Sequence, residues 1–138
     1  MADLIRDVIS KYVKKNKGIQ EFSAGDTVGV YVKVKEGDKE RIQLYKGVVL
    51  KIQGTGSTRA FVVRKVSAGI GVERSFPFMS PMIDRVELIA RGQVRRSRLY
   101  FLRGLKGRSA RLTTTLVGLR DEKADKAAPV EATDEAAQ

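Results

Sequence analysis

From Thr27 to Val34 the chain places Val28, Val30, Val32 and Val34 at alternate positions, with Gly29, Tyr31 and Lys33 between them. A period of two sends successive side chains to opposite faces, so this segment reads as a half-buried strand. Glu36-Gly37-Asp38 then supplies turn chemistry, and from Arg41 to Ile52 the alternation resumes through Ile42, Leu44, Val48, Leu50 and Ile52. Lys46 interrupts it, and Gly47 beside it marks an expected bulge or sharp bend.

Further strands are predicted at 59–66, 72–76 and 86–91. They are separated by a Gly- and Ser-rich loop from Gln53 to Thr58, a Gly turn from Ser67 to Gly71, and an irregular stretch bracketed by Pro77 and Pro81. Five short strands with tight turns predict a small, strongly bent antiparallel sheet, closed on itself to dispose of its edges. The expected class is mainly β, an SH3-like barrel, with an OB-type barrel as the alternative that strand number does not separate from it.

Before the first strand the period is helical. Leu4, Ile5, Val8, Ile9, Tyr12 and Val13 form one apolar stripe between Asp3 and Lys15. Asp3 can cap its start, Lys11, Lys14, Lys15 and Lys17 lie towards its negative end, and Gly18 can close it. The stripe is expected to pack on the body, with docking on a partner protein as the lesser use.

After the last strand the chain turns cationic. Arg91, Arg95, Arg96, Arg98, Arg103, Lys106, Arg108 and Arg111 occur with no acid among them, around the apolar and aromatic tetrad Leu99-Tyr100-Phe101-Leu102. Solvated faces normally mix both signs. Here the mixing is absent from Leu88 through Arg120, a pattern that phosphates would neutralise and that points to RNA. Arg59, Arg64, Lys65 and Arg74 carry the same character onto the predicted sheet, with no acid between Arg41 and Val72. The conformation of 93–112 stays open between an extended arm, a short strand at Leu99 to Leu102 and a helical turn.

The net charge of +11 understates this asymmetry. Residues 121–138 hold six acids against Lys123 and Lys126, a balance of −4, which leaves +15 on residues 1–120. This tail is Ala-rich, contains Pro129 and lacks aromatics, so it is expected to be disordered. The predicted organisation of the 138 residues is therefore a helix over 1–18, a barrel over 19–92, a basic RNA-binding extension over 93–120 and an acidic tail over 121–138.

The chain has no Cys and no His, which removes zinc fingers, thiol nucleophiles, Ser-His-Asp triads and most transition-metal sites. Disulfides are excluded as well, in keeping with a reducing compartment. No apolar run approaches the ~20 residues of a membrane span, and the start lacks a signal-peptide pattern, so a cytoplasmic setting without membrane contact is expected. Gly54-Thr55-Gly56 and Gly69-Ile70-Gly71 are not followed by Lys-Ser or Lys-Thr and read as hairpin turns rather than phosphate loops. Glu36, Asp38 and Glu40 are interleaved with Lys35, Lys39 and Arg41, which reads as a charge-balanced edge rather than a magnesium site for a nuclease. No catalytic residue, metal or cofactor is assigned. Of the aromatics that could stack on unpaired bases, Phe61 alternates with Val63 and is expected inward, whereas Tyr31 is expected outward.

Four stretches, in order, resemble one family. They are Phe22-Ser23-Ala24-Gly25-Asp26-Thr27-Val28, Tyr45-Lys46-Gly47-Val48-Val49, Ala60 to Val66 with Gly71-Val72-Glu73-Arg74, and Val94-Arg95-Arg96-Ser97-Arg98-Leu99-Tyr100-Phe101-Leu102-Arg103. Together they are similar to the bacterial large-subunit ribosomal protein L nineteen family over residues 2 to 112, the last stretch being the most specific. Met79 stands where the family often has His and Phe101 where it has a second Tyr, while the acidic tail has no counterpart. The resemblance implies an SH3-like barrel with an N-terminal helix and a basic extension, bound to large-subunit ribosomal RNA near the subunit interface. It also implies bridges to small-subunit RNA, neighbouring large-subunit proteins as partners, and no catalysis. The family's basic motif falls on Arg95, Arg96, Arg98 and Arg103, and its strand motif on Arg64, Lys65 and Arg74. Two other readings stay open on the residues alone, a barrel-type factor that visits RNA transiently and a metal-dependent RNA-processing activity.

Overall fold

The computed structural model of the protein describes residues 4, 5, 7, 8 and 18–117. Six strands form one antiparallel sheet: β1 (Thr27–Glu36), β2 (Lys39–Gln53), β3 (Ala60–Ser67), β4 (Ile70–Pro77), β5 (Ile83–Gly92) and β6 (Thr114–Leu116), in the order β4-β3-β2-β1-β5-β6. The five predicted strands are present. The short β6, pairing Ala90 with Leu116 and Gly92 with Thr114, was not predicted and falls within the segment read as extension.

The long β2 determines the shape. From Lys39 to Val48 it pairs with β1, and from Val48 to Gln53 it pairs with β3, so one strand serves two neighbours in succession and the sheet curls about it. The inner face of the curl holds the main core, in which Val28, Val30, Val32, Tyr45, Val49, Phe61, Val63, Phe76, Ile83 and Val86 are buried. Phe22 and Phe78 close one end of this core on Phe61, with ring centroids 5.0 and 4.9 Å from it.

Among the described residues no strand pairing closes the curl into a hydrogen-bonded barrel. Among the described residues β4 and β6 are the edges of the sheet, and the outer side of β5 is taken by another segment. Val86 N–H donates to the Gly18 carbonyl at 3.0 Å, Gln20 N–H donates to the Val86 carbonyl at 3.2 Å, and the Gln20 side-chain oxygen accepts from Leu88 N–H at 2.7 Å. Residues 18–20 thus satisfy backbone groups of β5 that would otherwise lie at an open edge.

The bulge in β2 lies at Leu50 rather than at Gly47, because the register passes from Val49↔Val63 directly to Lys51↔Val62. One inserted residue reverses the faces of everything beyond it. Before the bulge, Ile42 and Leu44 are exposed and Val48 and Leu50 face a second core; after it, Ile52 returns to the first. The apolar alternation predicted along 41–52 therefore does not line a single buried face. Gly47 has a different role: a Cβ there would collide with the Arg64 carbonyl oxygen, so the glycine permits close approach of β2 and β3.

Leu4, Ile5, Asp7 and Val8 are helical, and the remainder of the predicted N-terminal helix lies outside the described residues. Leu4, Ile5 and Val8 are 68, 63 and 55% exposed. This part of the stripe does not pack on the body as expected. The predicted disordered tail also lies outside the described residues.

Candidate nucleic-acid interface

The basic extension is held down by its few apolar side chains. Residues Tyr100–Arg103 form a 3₁₀ turn, in which positions three apart share a face. Leu99 and Leu102 are accordingly buried, whereas Tyr100 and Phe101 between them are exposed. The two leucines pack with Leu50 into the second core, flanked by Val48, Val62, Val94, Leu105 and Leu112. The bulge contributes directly, since the Leu50 carbonyl accepts the Leu99 N–H at 3.0 Å.

A buried carboxylate fixes where the extension leaves the sheet. Asp26 accepts from Ser23 N–H at 2.8 Å and Ser23 Oγ at 3.2 Å through one oxygen, and from Gly92 N–H at 2.9 Å through the other. Gly25 adopts φ +95° with the Val94 side chain packed where a Cβ would project, so the turn and the first apolar residue of the extension fit together only with glycine there.

Glu73 on β4 faces the extension and meets it with a fork. Arg103 Nε donates to one Glu73 oxygen at 2.8 Å and Arg103 Nη2 to the other at 2.7 Å, while Arg64 Nη1 donates to the first at 3.1 Å. The bond from Arg103, aided by its charge and by Arg64, holds the Glu73 carboxyl below its ordinary value against the opposing effect of burial. The same bond raises Arg103. Arg64 is largely enclosed, with 16% of its side chain exposed, while Arg103 keeps 53%.

The predicted cations do not form one continuous patch. Arg64 and Lys65 are sequence neighbours on a strand, so the pleat sends them to opposite faces. Arg64 joins the extension, and it borders a depression of about 410 Å³ with Arg103, Lys106 and Arg111, walled in part by Gly69 and Gly71. Lys65 and Arg74 lie on the other face at the mouth of the main core, with Lys65 Nζ 4.5 Å from the Tyr45 ring centroid and Arg74 5.1 Å from that of Phe76. Burial pushes the Tyr45 hydroxyl up, and it donates to the Val72 carbonyl at 3.0 Å. Arg59 stands 4.7 Å over Phe78, the ring that closes the far end of the core. Arg91 pairs with Thr115 in the sheet, and Arg95, Arg96 and Arg98 are exposed along the extension. Lys106 precedes a second 3₁₀ turn, Gly107–Ala110, which carries Arg108 and leads into Arg111.

Lys51 was missed by the sequence reading. Its Nζ lies 5.3 Å from the Tyr100 ring centroid, and its hydrogen bond to the Tyr100 hydroxyl, reinforced by Arg98 and Arg103, draws that hydroxyl below its ordinary value. The signal was present in the acid-free stretch from Arg41 to Val72, which contains it. Tyr31 does face outward, as expected, but Arg85 stands 4.1 Å over its ring and its hydroxyl donates to Glu87 at 3.0 Å. Phe61 is fully buried, as expected.

A curled β-sheet thus mounts a cationic arm on a second small core, the build of a basic binding protein. The profile of the family described as Ribosomal protein L19 matches residues 3–115. Three proteins named "Large ribosomal subunit protein bL19" are similar to the chain. That of Bdellovibrio bacteriovorus is 58% identical over 120 residues, covering 87% of this chain and 96% of the relative. That of Fusobacterium nucleatum is 55% identical over 109 residues (79% and 92%), and that of Persephonella marina 53% over 112 residues (81% and 83%). The chain belongs to the ribosomal protein L19 family. Membership makes it a structural, non-enzymatic constituent of the large subunit in the cytoplasmic ribosome of bacteria.

Proposed function

We propose that the protein binds large-subunit ribosomal RNA near the subunit interface and contributes to bridges with small-subunit RNA, beside neighbouring large-subunit proteins. The observation that carries the reading is the way Leu99 and Leu102 are buried while Arg95, Arg96 and Arg98 stand exposed around them. Apolar side chains hold the backbone down, and the guanidinium groups are left outward to neutralise phosphates and accept their geometry bidentately. In this reading residues 19–92 act as a half-open SH3-like body and 93–120 as the RNA-binding extension.

The pleat supports two contacts on opposite sides. Arg64, Arg91, Arg95, Arg96, Arg98, Arg103, Lys106, Arg108 and Arg111 act together on the extension side, and Arg59, Lys65 and Arg74 act on the other. One set anchors the protein in its own subunit and the other reaches across. The test is charge reversal of Arg95, Arg96 and Arg98, or of Lys65 and Arg74, followed by gradient sedimentation with this protein quantified in the large-subunit peak. The anchoring set should lose incorporation; the other should keep it and weaken subunit joining, more so at higher monovalent salt. Equal loss of incorporation from both sets would replace the division with a single anchoring surface, and full incorporation of both would overturn the assignment of these residues.

A further inference from the structure

We propose that the cleft between residues 93–96 and the segment 101–112 receives one unstacked nucleobase of the bound RNA. The inference rests on the RNA-binding reading above and adds a base-reading pocket to its phosphate contacts. The cleft has a volume of about 540 Å³, within the ~300–1,000 Å³ typical of small-ligand sites. Val94, Leu99, Leu105 and Leu112 form its apolar walls, and Phe101 stands at its rim with 42% of its surface exposed.

An apolar cleft needs an occupant, and its surroundings select one. Arg95 and Arg96 line the same cleft, and Arg96 stands 5.7 Å from the Phe101 ring centroid. No acid occurs anywhere from Leu88 to Arg120. The apolar side chain of a neighbouring protein would fill the walls but leave this cationic lip without a counter-charge. A nucleotide turned out of its strand matches both parts, since its base presents a planar face to the ring and leucines while its two phosphates fall to the guanidinium groups. Gln93 adds an exposed amide with a donor and an acceptor, the pairing that a base edge requires. The two segments that line the cleft are tied together beside it, because Gln93 N–H donates to the Thr113 carbonyl at 2.9 Å.

The cleft is a product of the second core. Leu99 is pinned by Leu50, and Val94 is seated against Gly25, so both walls are set before any ligand arrives. Preformed walls reduce the ordering cost of capturing a base.

The test uses the full chain with a short single-stranded oligoadenylate and an RNA duplex of the same length. Phe101→Ala should weaken single-strand binding by roughly 5- to 150-fold, the range for losing one stacked base, with no change in the salt slope and little change for the duplex. Phe101→Tyr keeps the ring and should keep the affinity. Oligoadenylate should also shift the methyl resonances of Leu99, Leu105 and Leu112 by its ring current. Equal losses for single strand and duplex, loss in Phe101→Tyr as large as in Phe101→Ala, or unshifted leucine methyls during saturating binding would each overturn the pocket while leaving RNA binding intact. Failure of the unaltered protein to bind either RNA would overturn the underlying reading instead.

Discussion

Arg103 and Glu73 lie thirty residues apart in sequence and meet in a two-point fork, Nε to Oε1 at 2.8 Å and Nη2 to Oε2 at 2.7 Å. The fork latches the extension onto the β3–β4 hairpin, and Arg64 completes it from within the sheet. Glu73→Gln keeps the shape and removes the charge. Because Arg103 is half-exposed and screened, the loss of stability is expected to be on the order of 1 kcal/mol. The change should appear as faster amide exchange along Tyr100–Arg103 while β1 and β2 stay protected, and unaltered exchange in the extension would refute the latch.

The same carboxyl makes the latch sensitive to acid. Its folded pKa is lowered from 4.5, so its contribution is complete above that value and is lost as the pH falls through the lowered folded value. Neutralisation frees Arg103 from its partner. In an NMR titration the Arg103 Nε–H signal should move in the acid range below the ordinary carboxylate value, and Glu73→Gln should abolish that movement. A transition that survives the substitution would assign it to another group.

Removing the apolar anchor should release the extension more completely. Leu99 is fully buried against Leu50 and Leu102, and Leu99→Ala is expected to cost about 2 to 5 kcal/mol. Trypsin should then cut at Arg95, Arg96 and Arg98 well before it attacks the sheet. Cleavage at the unaltered rate would mean that Leu99 is not the anchor.

Gly47→Ala tests the close approach of β2 and β3. The added Cβ would press on the Arg64 carbonyl oxygen, which is backbone and has little freedom to yield. A loss of about 1 to 3 kcal/mol in urea denaturation is expected, as for other overpacked sites. A neutral result would show that the strands can separate there without cost.

Salt dependence separates free cations from paired ones. Replacing Arg95, Arg96 and Arg98 by Ala should flatten the slope of log affinity against log salt by about 2 to 3, at 0.7 to 0.9 per phosphate contact. Adding Arg103→Ala should remove less than one further contact's share, because Glu73 already offsets part of its charge. A full additional step would show that RNA displaces Glu73 from the fork.

The sequence by itself determined the five longer strands but not β6, and Val28, Val30 and Val32 obey the period of two without interruption. It also determined the cationic character of the extension, because charge needs no fold to be counted. Tertiary structure decided which face each residue serves. Leu50 and Ile52 share a phase in the sequence, yet the bulge between Val49 and Lys51 sends them to different cores. Residues 18–20 take the edge of β5 at Val86, a pairing that is distant in sequence. Arg64 and Lys65 look equivalent in a charge map, but one is enclosed with Glu73 and Arg103 while the other stands over Tyr45. Pairing register and side-chain partners are long-range relations, and a one-dimensional pattern carries only the local preferences from which they are assembled.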